Sequence, residues 1–127
     1  MNKNFVCGII FMLLVGVFVG GCGSKYNDDI LTVRKGSMNM LPDVPIGKAF
    51  DQFFSNGKWT SFTSKKKEKI VEFNGKCEFI GEPVDMKIQF SLDGDTFTLE
   101  YLGLDGVGME DEIATEMLRK ILSDYKP

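Results

Sequence analysis

With three cysteines and no histidine in 127 residues, the chain has a short menu of chemistry. Without imidazole there is no ordinary general base near neutral pH, no Ser-His or Cys-His nucleophile pair, and none of the usual zinc ligand sets. Carboxylates and thiols remain. Asp93-Gly94-Asp95 has the opening of a calcium loop, but the bidentate Glu such a loop needs would fall at position 104, which is Leu. Two acids around a glycine read instead as a hairpin turn. Glu110-Asp111-Glu112 gathers three acids where a helix is about to start, and the helix dipole is sufficient reason for them there. The glycines at 103, 106 and 108 lack the Lys-Ser/Thr of a phosphate loop. No catalytic residue, metal ligand or cofactor site is therefore expected, and the chain reads as a non-enzyme.

The thiol of Cys22 is a different matter. It stands directly after Gly20-Gly21, at the end of a run of fifteen apolar or glycine residues from Phe5 to Val19. The run is shorter than the roughly 20 apolar residues a membrane-spanning helix needs, and Gly8 and Gly16 interrupt it. It has the layout of a signal peptide: Lys3 as the charged region, the apolar stretch, then small residues at the cleavage point between Gly21 and Cys22. Val19-Gly20-Gly21-Cys22 resembles the lipobox of bacterial lipoproteins, with Gly20 where Ser, Ala or Thr is commoner. That resemblance implies a thioether-linked diacylglycerol on Cys22, cleavage before it, acylation of the new amine, and a place in the cell envelope. Two or three acyl chains on one residue anchor a protein stably where one holds it only marginally. Gly23 directly after the cysteine favours the outer membrane if the cell is Gram-negative.

The expected organisation is a signal peptide over 1–21, a lipidated cysteine and polar tether over 22–29, and a globular domain over 30–127. Gly23 to Asp29 can hold the domain at most about 25 Å from its anchor. Cys77 is the second cysteine of the mature chain, so no internal disulfide is expected; a free cysteine is usually a small buried apolar residue, or else a thiol open to a partner. The net charge of −3 offers no basic excess for nucleic acid. Lys65, Lys66, Lys67 and Lys69 form the one basic cluster, which reads as a solvated hairpin tip or, given the tether, as a contact with anionic lipid headgroups at about 1 kcal/mol per Lys.

Twelve of the fifteen aromatics lie beyond Cys22, enough for one core. Ile30 to Arg34 alternates and predicts a short edge strand. Pro45 can occupy the first position of a helix, along which Ile46, Ala49, Phe50, Phe53 and Phe54 share a face until Asn56-Gly57. Trp59 and Phe62 open a second apolar region, in which Trp59 is expected to be core. Three segments of period two follow: Val71, Phe73, Gly75, Cys77 and Phe79; then Met86, Ile88, Phe90 and Leu92; then Phe97, Leu99 and Tyr101. Short turns at Gly81-Glu82-Pro83 and Asp93-Gly94-Asp95 make them an antiparallel meander. Ile113, Ala114, Met117, Leu118, Ile121, Leu122 and Tyr125 form the apolar stripe of a closing helix. The expected fold is a two-layer α+β domain, a meander of three to five strands packed against two helices.

The stretch VPIGKAFDQFFSNGKWTSFTSKKKEKIVEFNGKC and the later VDMKIQF resemble a group of small bacterial lipoproteins and phage-associated or secreted proteins, which share a Gly-x-Ala-Phe helix, a Trp-x-x-Phe, a Val-x-Phe strand and an Ile-x-Phe strand. The resemblance spans about residues 31–125; it implies a fold and an envelope address, and carries no assigned activity. Three functions are in play. The leading one is a lipid-anchored module that binds another envelope protein, an assembly accessory or inhibitor, through apolar residues on the glycine-rich loop: Leu104, Val107 and Met109. The second is a small-ligand module with a pocket lined by Phe50, Phe54, Phe73 or Phe90, and the third a carboxylate-dependent enzyme. Whether the protein forms oligomers is open.

Overall fold

The computed structural model describes residues 25–127. Three helices cover one face of a five-stranded antiparallel sheet whose strands run in chain order, β1-β2-β3-β4-β5. The α+β meander expected from the sequence is therefore the fold.

The first element departs from that expectation. Asp28–Lys35 is a helix, α1, where the alternation at Ile30 to Arg34 predicts a strand. The local capping chemistry explains it. Asn27 Oδ1 accepts from the Ile30 amide at 2.9 Å, Asp28 and Asp29 sit in the positive first turn, and Arg34 and Lys35 sit in the negative last one. Ile30 and Val33 are then one turn apart on the buried face. The sheet thus carries three helices instead of two, and the domain begins at the Asn27 cap. Asp28 and Asp29, read from sequence as part of a polar tether, belong to this helix.

Helix α2 spans Ile46–Phe53, with Pro45 one place earlier than expected, at the N-cap. Ile46, Ala49 and Phe50 are buried. The helix stops at Phe53 because the chain turns into β1 (Ser55–Thr63), with Asn56 at positive φ and a bulge between Ser55 and Lys58. Phe50 is the hub of the core. Its ring centroid lies 4.8 Å from Phe73, 5.4 Å from Phe54 and 5.6 Å from Trp59. Each such aromatic pair adds about 0.5–1.5 kcal/mol beyond the area it buries.

One charged residue is built into this layer. Arg34, on the last turn of α1, forms a two-pronged pair with Asp51 of α2 at 2.8 and 3.2 Å. Its guanidinium lies over Tyr26 at 4.6 Å and over Trp59 at 5.5 Å. The Asp51 hydrogen bond pushes its pKa still further up, against the opposing effect of burial, so it stays charged. Room for it comes from Gly47: a Cβ there would meet Arg34 Cβ and Cζ at 2.8 Å.

Strands β2 (Lys69–Phe79) and β3 (Glu82–Asp93) form the spine, paired from Lys69↔Leu92 to Phe79↔Glu82. Strand β4 (Thr96–Leu104) pairs with β3, and the two-residue β5 (Val107–Gly108) folds back on β4. The faces of β2 and β3 are as the alternation predicts. On β4 the register shifts: Phe90 pairs with Leu99 but Gln89 with Tyr101, leaving Glu100 as the extra residue of a bulge. Leu102 and Leu104 therefore take the core side, and Tyr101, expected beside Leu99, lies on the other. Helix α3 (Asp111–Ser123) returns across the sheet with Ala114, Leu118, Ile121 and Leu122 buried.

The sheet has two distinct ends. At one, the chain enters the domain: Asn27 Nδ2 donates to Ser61 Oγ at 2.6 Å, and Asp29 lies 4.0 Å from Lys69. At the other, the β2–β3 hairpin runs past its neighbours, because β1 pairs no further than Lys76 and β4 no further than Met86.

Gly47→Ala is expected to destabilise the domain by about 1–3 kcal/mol, through overpacking against Arg34, and Phe50→Ala by about 3–5 kcal/mol. Urea unfolding midpoints measure both. An unchanged midpoint for Gly47→Ala would show that Arg34 is not held where α1 and α2 meet.

Candidate functional site

The overhanging hairpin and α3 enclose an open groove of about 460 Å³. Its floor is the helix-side face of the hairpin: Cys77 and Phe79 on β2, Met86 on β3. Its walls are Ile113, Met117 and Ile121 of α3 and Phe53 at the end of α2. Ile121 and Met86 are buried core residues, so the groove is the core emerging at the surface. Phe79 is 41% exposed and Ile113 47%, and next to Phe79 the turn residue Ile80 is 87% exposed. Phe79, Ile113 and Met117 thus line the groove as a partly exposed apolar strip, and Ile80 follows Phe79 at the hairpin tip. Exposed large apolar side chains are ordinary one at a time, and informative when contiguous.

Why the sequence folds this way is a matter of lengths. The alternation on β2 continues through Cys77 and Phe79 after β1 has ended, so these side chains project from an arm that α3 only partly covers. On α3, Ile113 and Met117 lie at the edge of a stripe wider than the sheet beneath it can bury. Backbone conformation at the arm's tip is set by Ile80 and Gly81, both at positive φ (52° and 77°). An open tip surrounds Gly81, with no atom within 4 Å of a Cβ built there.

The rim is acidic. Glu78, Glu112 and Glu116 line the groove with a single cation, Lys120. Glu116 accepts from Arg119 at 2.9 Å and Lys120 donates to Asp124 at 2.9 Å. Glu78 and Glu112 enter none of the ion pairs among the described residues. Burial pushes the Cys77 thiol up from its ordinary range, which keeps it neutral and a poor nucleophile at neutral pH.

The residues singled out from sequence fall as follows. Gly21 and Cys22, with the whole apolar run and the lipobox, lie outside the described residues. Lys65, Lys66 and Lys67 occupy the β1–β2 turn, closed by the Lys67 amide to Ser64 O at 2.9 Å, and Lys69 opens β2. They share the end at which the chain enters, yet Asp28, Asp29, Glu68, Asp93 and Asp95 surround them, so that end is not strongly basic. Leu104 and Val107 pair across the β4–β5 turn, with Leu104 and Met109 packed against the core and Val107 63% exposed. These three do not form one exposed patch. The place expected for a ligand between helices and sheet is filled: Phe50 and Phe90 are 0% exposed, Phe73 1% and Phe54 8%, and none lines the groove. Trp59 is core as expected, and its buried indole N–H finds no acceptor among the described residues. Glu110 to Glu112 start α3 and Asp93 to Asp95 turn β3 into β4, and neither set gathers into a metal-binding cluster among the described residues.

A second depression, lined by Tyr26, Arg34, Lys35 and Lys48 among others, separates α1 from α2, but its half-buried cation Arg34 is already held by Asp51. Among the described residues no helix is long and apolar enough to cross a membrane. Compared with known proteins, the chain matches no family model, no curated protein and no solved structure.

Two outcomes test this geometry. Alkylation of Cys77 is expected to be slow at pH 8 and to keep accelerating at higher pH, past the point at which a free cysteine peptide levels off, because a raised pKa delays the thiolate. Val107→Asp is expected to leave stability within about 0.5 kcal/mol of wild type, whereas Leu104→Asp, which pushes a charge against the core, costs several kcal/mol.

Proposed function

We propose that this protein is a non-enzymatic, lipid-anchored component of a bacterial cell envelope whose domain binds a segment of another envelope protein in the groove between α3 and the β2–β3 arm. The anchor rests on the sequence Val19-Gly20-Gly21-Cys22 and the polar residues after it. The binding surface rests on one structural observation: the buried core residues Met86 and Ile121 line the groove together with the exposed Phe79 and Ile113.

A polypeptide suits this surface better than a small molecule. A peptide laid along this open groove covers Phe79 on the arm and Ile113 and Met117 on the edge of α3 together. Bulky side chains set into such a groove are the anchors that carry most of an interface's energy. Chemistry on a substrate has less support, since the thiol at the floor is held neutral and the rim carboxylates are exposed.

Photocrosslinking in cells from position 113, with position 98 on the opposite sheet face as control, tests the surface. A discrete adduct with an envelope protein is expected from 113 and not from 98, and Phe79→Asp is expected to weaken it about thirtyfold, the scale of a hot-spot anchor, while the domain stays folded. Equal adducts from both positions contradict the assignment. Cys22→Ser tests the anchor separately: loss of fatty-acid label and release from the membrane fraction are expected, and unchanged fractionation contradicts it.

A further inference from the structure

Any partner that sets an apolar side chain into the groove must also desolvate part of its rim. Glu78 and Glu112 enter no ion pair among the described residues, and Glu82, paired across the hairpin with Phe79, adds an exposed carboxylate. Leaving carboxylates half-buried and unpaired is costly, and like charge on the partner more so. The occupant therefore has to bring cations to the rim and an apolar group to the floor.

We infer that the groove receives a polypeptide segment bearing a bulky apolar side chain flanked by Lys or Arg, presented from the side away from the anchoring bilayer. This rests on the protein-binding reading above. The direction follows from the fold. The chain enters beside Ser61 and Lys69, and the groove lies at the far end of β2, ten residue steps or about 33 Å away. Other occupants fit less well. Anionic lipid is repelled by the rim. After cleavage before Cys22, the three residues leading to Lys25 span at most about 11 Å and keep the proposed anchor at the end where the chain enters, away from the groove. In a second copy the apolar-and-basic feature is Phe62 with Lys65 to Lys67, at the anchored end; copies held in one bilayer keep that end a strand's length from a neighbour's groove.

Three probe peptides test the inference on the purified mature protein in neutral phosphatidylcholine vesicles: Lys-Lys-Ile-Phe-Lys-Lys, Glu-Glu-Ile-Phe-Glu-Glu and Lys-Lys-Ser-Ser-Lys-Lys. Mass spectrometry reads the alkylation rate of Cys77 at the groove floor, a readout that holds whether or not Cys22 proves to be acylated. The first peptide is expected to protect Cys77, the second to bind about tenfold more weakly (about 1.4 kcal/mol) in low salt, and the third to give no protection. High salt should narrow the gap between the first two. The double variant Glu78→Lys, Glu112→Lys should reverse their order. Equal protection by the Lys-flanked and Glu-flanked peptides, equal protection by the Ser-Ser peptide, or a crosslink from position 113 to a second copy would overturn the inference. If no peptide protects Cys77 while position 113 still crosslinks another envelope protein, the cationic segment is wrong and the protein-binding reading stands; if both fail, both fall.

Discussion

The β2–β3 hairpin is longer than the layer that covers it, and the character of this protein's surface follows from that mismatch. Its ladder continues to Phe79↔Glu82, three pairs past the last partner β1 supplies at Lys76. Alternation does not stop where the neighbours do, so an apolar face is carried out beyond the sheet's body. Helix α3, thirteen residues long, crosses that face and shields only part of it. Where floor and wall are both apolar and neither is fully covered, a groove must remain.

What holds the mismatch in place is the tight end of the helical layer. Phe50 gathers Phe54, Trp59 and Phe73 around it, fixing α2 against β1 and β2. Arg34 clamps α1 to α2 through Asp51 and lies over the rings of Tyr26 and Trp59, and it has space to do so because residue 47 has no side chain. Since α2 cannot slide toward the hairpin tip without breaking these contacts, Phe53 stays at the inner end of the groove and the arm stays uncovered. The arm itself is stabilised by a single partner strand on each side of its turn and by the α3 edge. It is the part of the domain whose burial is easiest to complete from outside.

Much of the fold is legible in the sequence. The two-residue periods of β2 and β3 and the stripe of α3 predict which side chains face inward, and those faces hold. Two local readings fail for identifiable reasons. Ile30 to Arg34 alternates like a strand, but Asn27-Asp28-Asp29 is a helix start, and the cap decides. Tyr101 leaves the core face because Glu100 is accommodated as a bulge, an insertion that depends on β3 and cannot be seen in β4 alone. The groove is less legible still. Phe79 beside a turn, and a stripe on α3 wide enough to include Ile113, are its signals, while its existence depends on the relative lengths of elements far apart in the chain. The proposed lipid anchor at Cys22, by contrast, rests on sequence alone.

Hydroxyl-radical footprinting of the purified protein and of the same protein in intact cells tests the account most directly. If the groove is an uncovered binding surface, Phe79, Ile113 and Met117 are oxidised in the purified protein and shielded in cells, while Val107, exposed elsewhere on the domain, is labelled alike in both. Equal labelling of all four positions in the two settings would mean that nothing covers the groove in the cell, and the central claim would be wrong.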